Sequence, residues 1–274
     1  MKRISTIILA LLIPLACMAQ AKVTIVSKKE KLADFPVKTM KVVLQNDDFA
    51  SSALREAMRD AWSVSAFEFC DQAEFDRLKG NGGYYFMVPL RYEGKKSDGI
   101  TYLTVVKGDA KDLDSMTELV TMPICAADGP DGREEAFMPA ILDVMQRYIE
   151  ISLVDGFKSI SSMVEKAPKG GTMDLVIDEK DLGDGVPEKV RQKKLAGLVR
   201  PSHEVSEIFM SGAPDTAVAY TIAPVNPEEG AVCYRMLFDA RSHALYHFAK
   251  HKIAPGSGKG LLKEDISTFT AGRK

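Results

Sequence analysis

The chain has 274 residues and a mass of 30.0 kDa, of which 46% are hydrophobic and 27% charged. This length allows one large domain or two small ones, and the composition excludes disordered, collagen-like and coiled-coil proteins. The formal net charge of −2 and the isoelectric point of about 6.1 exclude a global basic field that would hold nucleic acid.

The first 19 residues have the pattern of a secretory signal peptide. Lys2 and Arg3 precede an apolar run at residues 4–15, and small residues follow it. Cys17 and Ala19 satisfy the preference for small side chains before a cleavage site, so we expect the mature chain to begin at Gln20. We therefore expect export to the periplasm or the cell exterior, with no transmembrane span elsewhere.

The alternative to simple cleavage is acylation of Cys17, which would place the protein on a membrane. Pro14 stands where the lipoprotein motif usually has leucine, so the sequence favours cleavage without a lipid.

Without Cys17 three cysteines remain, and an odd number does not form a disulfide scaffold. Either Cys70 pairs with Cys125, or Cys70, Cys125 and Cys233 are all buried thiols.

The first half of the chain predicts a β-α-β-α-β-β-β order after a short edge strand at residues 23–26. Apolar and β-branched runs predict strands at 40–45, 67–69, 84–90, 100–106 and 118–124. Helical spacing of apolar side chains predicts one helix capped by Ser51 or Ser52 and a second that begins at Asp71. The strand at 84–90 is apolar on both faces and therefore central, and Pro89 is expected to end it.

Residues 133–166 have the strongest helical periodicity in the chain, with Gly156 as a candidate kink. We expect this long helix to contact both halves, and we place a domain boundary at residues 167–171. Because amphipathic helices normally bury their apolar stripe within their own chain, intramolecular packing is the first expectation. The alternative is self-association, or contact with an envelope protein, through part of the same stripe.

The second half predicts strands at residues 173–178, 198–200, 217–223, 232–238 and 244–251, the last two as a hairpin. Helices are predicted at 187–196 and from Ser202 to Gly212, followed by a short terminal element at 261–269. Met173 follows Met40 by 133 residues, and Gly212 follows Gly80 by 132. The halves therefore suggest a degenerate duplication, with chance agreement of two ordinary α/β patterns as the alternative.

The predicted fold is α/β, or α+β-like, with two small mixed-sheet βαβαββ modules joined by a long amphipathic helix. The signal peptide takes residues 1–19, the first module 20–127, the connecting helix 128–168 and the second module 169–274. We expect residues 39–107 and 172–238 to share strand order and strand direction. A different strand order, or one continuous core, would argue against the duplication.

Three of the four histidines, His243, His247 and His251, recur every fourth residue. On a helix this spacing would present a metal-binding face, and these are the only candidate metal ligands of the sequence. The alternation of Leu245 and Ala249 with neighbouring aromatic residues favours a strand instead. Successive histidines on a strand lie ~13 Å apart, too far to share one ion.

Other segments carry weaker signals of chemistry. The acidic residues at 128–135 lack the ligand order of a calcium loop, so we expect Asp131 to cap a helix there. The acidic turn at 178–184 is expected to be solvated. The glycine-rich residues 256–260 resemble part of a phosphate loop, but Ile253 and Gly260 depart from that motif, so a flexible loop is expected.

The sequence contains no nucleophile elbow and predicts no catalytic residue and no cofactor. The leading hypothesis is an exported, non-catalytic envelope protein that binds or helps assemble another periplasmic or outer-membrane component. The alternative is a periplasmic hydrolase whose site is dispersed between the two modules. A deep pocket with converging histidine and acidic side chains would favour the hydrolase, and a flat apolar patch would favour the binding protein.

Overall fold

A computed structural model describes residues 32–45, 49–94, 97–129, 131–156, 158–168, 172–228 and 230–271. These residues form ten strands, arranged in two five-stranded mixed sheets, and six α-helices of seven or more residues. The α/β fold class expected from the sequence is therefore confirmed. The signal peptide, Cys17 and the strand predicted at 23–26 lie outside the described residues.

The first module contains one sheet and two helices. Its sheet has the order β2-β1-β3-β4-β5, with β1 parallel to both of its neighbours and the remaining pairs antiparallel. Its elements are β1 (Thr39–Val43), α1 (Phe49–Ala61), β2 (Phe67–Cys70), α2 (Gln72–Leu78), β3 (Tyr84–Arg91), β4 (Ile100–Lys107) and β5 (Thr117–Ala126).

The connecting helix α3 (Glu134–Asp155) leads to the second module. The second sheet has the order β10-β9-β8-β6-β7, with β6 parallel to both of its neighbours and the remaining pairs antiparallel. Its elements are β6 (Asp174–Asp178), α4 (Glu188–Lys194), β7 (Val199–Arg200), α5 (Ser202–Met210), β8 (Thr216–Ile222), β9 (Val232–Asp239), β10 (Leu245–Lys252) and α6 (Lys263–Phe269).

The two sheets have the same strand order and the same strand directions, as the repeat in the sequence predicted. The register agrees as well. Tyr85 pairs with Lys107 between β3 and β4, and Ala217 pairs with Asp239 between β8 and β9, each 132 residues later. The repeat also extends beyond the predicted range, because β5 and β10 occupy equivalent edges.

The main apolar core contains residues of both modules, so the boundary expected at residues 167–171 does not divide two cores. By the criterion above this core counts against the duplication, whereas the shared strand order supports it. Helix α3 packs against α1 and β5 of the first module and against α5 of the second, which confirms its predicted double contact. Its Phe137 stacks on Tyr220, with the ring centroids 4.0 Å apart, and on Phe209 at 4.3 Å. The modules are therefore repeats of topology that share one core.

Helix α3 is shorter than the predicted 133–166. It ends where Gly156 adopts a φ of 89°, a conformation that favours glycine and stops the helix. A separate 3-10 helix, Ile160–Met163, follows and packs near β10. Most of the α3 stripe is buried, while Ile151 near its end is 46% exposed. Intramolecular packing thus accounts for most of the periodicity.

Pro89 lies inside β3 instead of ending it. The pairing of β3 with β1 stops at Met87. Proline has no N–H to donate, and at position 89 no hydrogen bond to β1 requires one.

Asp71 caps α2 as predicted, accepting a hydrogen bond from the Glu74 N–H at 2.8 Å. Ser51 lies within α1, and its hydroxyl accepts from the Gln45 N–H, so the predicted cap at that helix was wrong.

No helix in the described ranges is long and apolar enough to cross a membrane.

Candidate functional site

A pocket of about 370 Å³ lies where the ends of β5 and β8 meet the start of α3. We call it the inter-module pocket, because both modules and the connecting helix supply its walls. This volume falls within the range of small-molecule sites. Its lining consists of Cys125, Ala126, Gly129, Asp131, Arg133, Glu134, Lys180, Tyr220, Thr221, Ile222, Ala223, Val225, Lys259 and Gly260.

The Arg133 guanidinium connects the three parts of the pocket wall. The side chain is 7% exposed, and its Nε donates to Asp131 at 2.8 Å. Its Nη1 donates to Asp181 at 2.8 Å and to Asp178 at 3.3 Å. Its Nη2 donates to the carbonyl oxygen of Thr221 at 3.2 Å, beyond Val218, the last residue of β8 that pairs with β6. Arg133 thereby fastens the start of α3 to the second sheet.

Asp178 and Asp181 are fully buried, so the solvated acidic turn expected at 178–184 was wrong at both positions. A 3-10 helix, Glu179–Asp181, follows β6 and turns both carboxylates toward Arg133. Thr221 donates to Asp181 at 2.6 Å, and Ser202 donates to Asp178 at 2.9 Å. Burial raises the pKa of Asp181 to about 6, although the nearby Arg133 charge opposes that shift.

The start of α3 is held by Glu134. This carboxylate is 2% exposed and accepts from the backbone N–H groups of Asp131 and Gly132 at 3.0 and 2.9 Å. Burial raises the pKa of Glu134, although those hydrogen bonds oppose the shift. The predicted cap by Asp131 was wrong, because Asp131 accepts from the Arg133 N–H and Nε and leaves Arg133 at the N-cap position.

Asp128 fixes the loop that follows β8. Its two carboxylate oxygens accept from the N–H groups of Val225 and Asn226 at 2.9 and 2.8 Å. On the other side of this contact lies a second cavity of about 650 Å³, which Asp98, Asp128 and Glu228 help to line. Three acidic residues of the 128–135 segment, Asp128, Asp131 and Glu134, therefore have structural partners of their own.

The glycine-rich loop at 256–260, which we expected to be flexible, packs against the turn after β6. The Leu261 N–H donates to the Asp181 carbonyl at 2.7 Å, and the Lys263 N–H donates to the Gly185 carbonyl at 3.0 Å. This contact brings Lys259 to the rim of the pocket, where its Nζ donates to the Val225 carbonyl at 3.1 Å.

Replacing Gly183 with alanine is expected to destabilise the protein by about 1 to 3 kcal/mol, the usual cost of overpacking. A Cβ at Gly183 would lie 1.6 Å from the Lys259 carbonyl oxygen, so the two backbone segments must separate. Gly80 is the matched control, since nothing lies within 4 Å of a Cβ there. Urea unfolding of both variants measures the difference. Equal midpoints for Gly183→Ala and Gly80→Ala would show that the two loops part without cost.

The three candidate metal ligands do not converge. His243 lies in the turn before β10 with a φ of 55°, and only His247 and His251 lie on that strand, so the predicted shared strand face was wrong for His243. His243 Nδ1 lies 2.6 Å from Asp143, His247 Nε2 lies 3.1 Å from Asp265, and His251 Nε2 lies 2.9 Å from the Gly258 carbonyl oxygen. Within the described residues, no group of three or more metal-binding side chains occurs.

Cys70, Cys125 and Cys233 are buried thiols, so the proposed Cys70–Cys125 disulfide is absent and the alternative reading was right. Burial raises the pKa of Cys70 to about 11 and that of Cys233 to about 12. Neither sulfur is therefore a thiolate at neutral pH.

The sequence analysis missed Arg133, Thr221 and the two lysines at the rim. One available signal was an arginine at the start of the longest helix, a position that the helix dipole disfavours. The pocket offers apolar walls, three cationic side chains and two carboxylates, a combination suited to holding a ligand with polar groups. No family model, no curated protein and no solved structure matches this chain.

Proposed function

We propose that this protein is an exported, non-catalytic protein of the cell envelope that binds another envelope component in the inter-module pocket. The observation that carries the proposal is a pocket of about 370 Å³ whose walls come from both modules and from the helix between them. Sites of this kind, concave and mainly apolar with a few placed polar groups, favour binding of a small molecule or of a short protruding segment.

The polar groups of the pocket support binding over catalysis. Thr221 donates its hydroxyl proton to Asp181, and the Glu134 carboxylate is occupied by two backbone N–H groups. No histidine is among the residues that line the described pocket. A nucleophile needs an adjacent base that is itself oriented by a third group. Thr221, Asp181 and Arg133 approach this arrangement, but Asp181 is fully buried and does not line the pocket.

Export rests on the signal-peptide pattern of residues 1–19, and the intact mass of the protein from its native host tests it. We expect a chain that starts at Gln20. A mass with lipid on Cys17 would place the protein on a membrane and overturn the cleavage part of the proposal.

Filling the pocket should abolish ligand binding without unfolding the protein. Ala223 lines the pocket and is partly exposed, so a tryptophan there would occupy the space meant for the ligand. Ala167 is exposed and outside the pocket, which makes Ala167→Trp the matched control. Native mass spectrometry of each protein from its own host should show a bound molecule in the parent and in Ala167→Trp, but not in Ala223→Trp. Retention of the ligand in both variants would refute the site.

One observation favours the hydrolase as a second candidate. A carboxyl group whose pKa is raised to about 6 accepts the hydroxyl proton of a threonine that lines the pocket. Shifted pKa values of this kind are enriched at active sites. Assays with ester, phosphoester and peptide substrates decide between the two. Turnover that is lost in Thr221→Val would establish the hydrolase and reject the non-catalytic proposal.

A further inference from the structure

Strand β2 leaves one side of its backbone open at the edge of the first sheet, opposite the edge formed by β5. The Met40 N–H donates to the Ala66 carbonyl, and the Leu44 N–H donates to the Cys70 carbonyl. Backbone groups alternate in direction along a strand, so those of Phe67 and Phe69 point away from β1. Among the residues that the structure describes, none hydrogen-bonds to these outward groups.

The side chains beside this edge form an aromatic and cationic strip. Phe67 and Phe69 are both partly exposed, and their ring centroids lie 5.5 Å apart in an edge-to-face arrangement. Arg55 and Arg59 of α1 extend over the Phe69 ring, with their guanidinium carbons 5.0 and 5.7 Å from its centroid. Both arginines are exposed, and neither forms an ion pair with a described residue.

On the other face of the sheet, beside the same edge, the positive charge of Lys41 is already neutralised. Lys41 of β1 is bonded to Glu68 at 2.6 Å and to Glu74 at 2.9 Å. A strand added along β2 would present alternate side chains to these two faces. Only the side chains on the α1 face would meet unpaired positive charge.

We propose that the β2 edge binds an extended segment of a partner protein that carries acidic residues at alternate positions. The segment adds to the sheet as a sixth strand, taking the backbone hydrogen bonds of Phe67 and Phe69. Its carboxylates pair with Arg55 and Arg59, and the two phenylalanine rings support the side chains between them. This surface is separate from the inter-module pocket, so it stands whether or not the pocket binds a ligand.

A second copy of this chain is a poorer occupant. Two β2 edges that pair through a two-fold axis normal to the sheet keep both α1 helices on the same face. The arginine pairs of the two copies would then lie next to each other, and like charges across a strand pair are destabilising. Charge complementarity therefore selects an acidic partner.

A blocked eight-residue peptide of alternating threonine and glutamate tests the proposal, with its threonine–lysine counterpart as the charge control. Titration followed by calorimetry should detect the acidic peptide only. Two exposed ion pairs of ~0.5 kcal/mol each predict that Arg55→Ala combined with Arg59→Ala weakens binding about fivefold. Arg91→Ala combined with Arg241→Ala removes two exposed arginines, one at the end of β3 and one in the turn before β10, and should leave the affinity unchanged.

Two N-methylated isomers of the acidic peptide separate strand addition from simple charge attraction. Strand pairing uses the N–H groups of alternate residues, so methylation at one set of alternate positions should abolish binding and methylation at the other set should not. Equal binding of both isomers, equal binding of the lysine peptide, or no binding at all would overturn the proposal. So would a dimer in sedimentation that dissociates in the Phe69→Pro variant, which removes an outward N–H of β2, because the edge would then serve a second copy.

Discussion

Replacement of Arg133 with alanine lowers the free energy of unfolding by about 3 to 5 kcal/mol, the usual cost of removing one partner of a buried ion pair. The substitution removes the positive charge that pairs with Asp178 and Asp181, both of which are fully buried. It also leaves the Thr221 carbonyl without its hydrogen-bond donor. Urea unfolding of the mature chain at neutral pH measures the loss. Arg241→Ala is the control, because that arginine is exposed.

The loss of unfolding free energy in Arg133→Ala, relative to the parent, should be larger at high pH than at low pH. Burial already raises the pKa of Asp181 to about 6 from an ordinary value near 3.8, so the native state binds a proton more tightly than the unfolded chain. The parent therefore loses stability as pH rises from about 4 to about 6, and then levels off. Without Arg133 the pKa of Asp181 rises further, so the variant continues to lose stability above pH 6. The difference in unfolding free energy between parent and variant is therefore larger at pH 8 than at pH 5.

The combined variant Arg133→Ala, Asp181→Asn identifies the cause. If the unpaired, buried carboxylate of Asp181 is responsible, neutralising it restores part of the stability lost in Arg133→Ala and reduces the pH dependence of stability. A deficit that is equal at pH 5 and pH 8, and that the second substitution does not change, would instead attribute the loss to packing of the arginine against Tyr220.

The positions of most strands and helices were predictable because the local spacing of apolar residues determines them. The run at 84–90 is apolar on both faces, and it forms the central strand β3. The pattern failed where a single residue or a distant partner decided the outcome. Gly156 ends α3 by its backbone conformation, although apolar spacing continues past it. The continuous core arises from contacts such as Phe137 on Tyr220, which periodicity within one segment does not reveal.

The candidate site was less predictable than the fold for a related reason. Asp178 and Asp181 have the composition of a solvated turn, and their burial depends on partners far away in the sequence. Arg133 lies 45 and 48 residues away, and Ser202 and Thr221 donate further hydrogen bonds. The histidines show the converse. Their even spacing suggested a shared role, but each one pairs with a different element of the fold. Partners distant in sequence set the environment of every charged group in these clusters.

A second buried network, around Arg235 of β9, gives the other large effect. Asp265 of α6 is 2% exposed. It accepts hydrogen bonds from the 6% exposed Arg235 at 2.5 Å and from the Leu262 N–H at 2.7 Å, and its Oδ1 lies 3.1 Å from His247 Nε2. Asp265→Ala leaves the Arg235 charge buried and removes an N-terminal hydrogen bond of α6. We expect a loss of about 3 to 5 kcal/mol in urea unfolding at neutral pH.

Glu264→Ala is the matched control for this variant, because Glu264 is the exposed neighbour of Asp265 on the same helix turn. Burial alone would raise the pKa of Asp265, but the bond from His247 and the charge of Arg235 lower it below its ordinary value. The stabilisation is therefore complete above about pH 4 and is lost as pH falls through the lowered pKa. Arg235 stays charged throughout, so the Asp265→Ala deficit is constant from pH 5 to pH 8 and shrinks only in stronger acid. A deficit that grows between pH 5 and pH 8, as expected for Arg133→Ala, would show that another group holds Arg235.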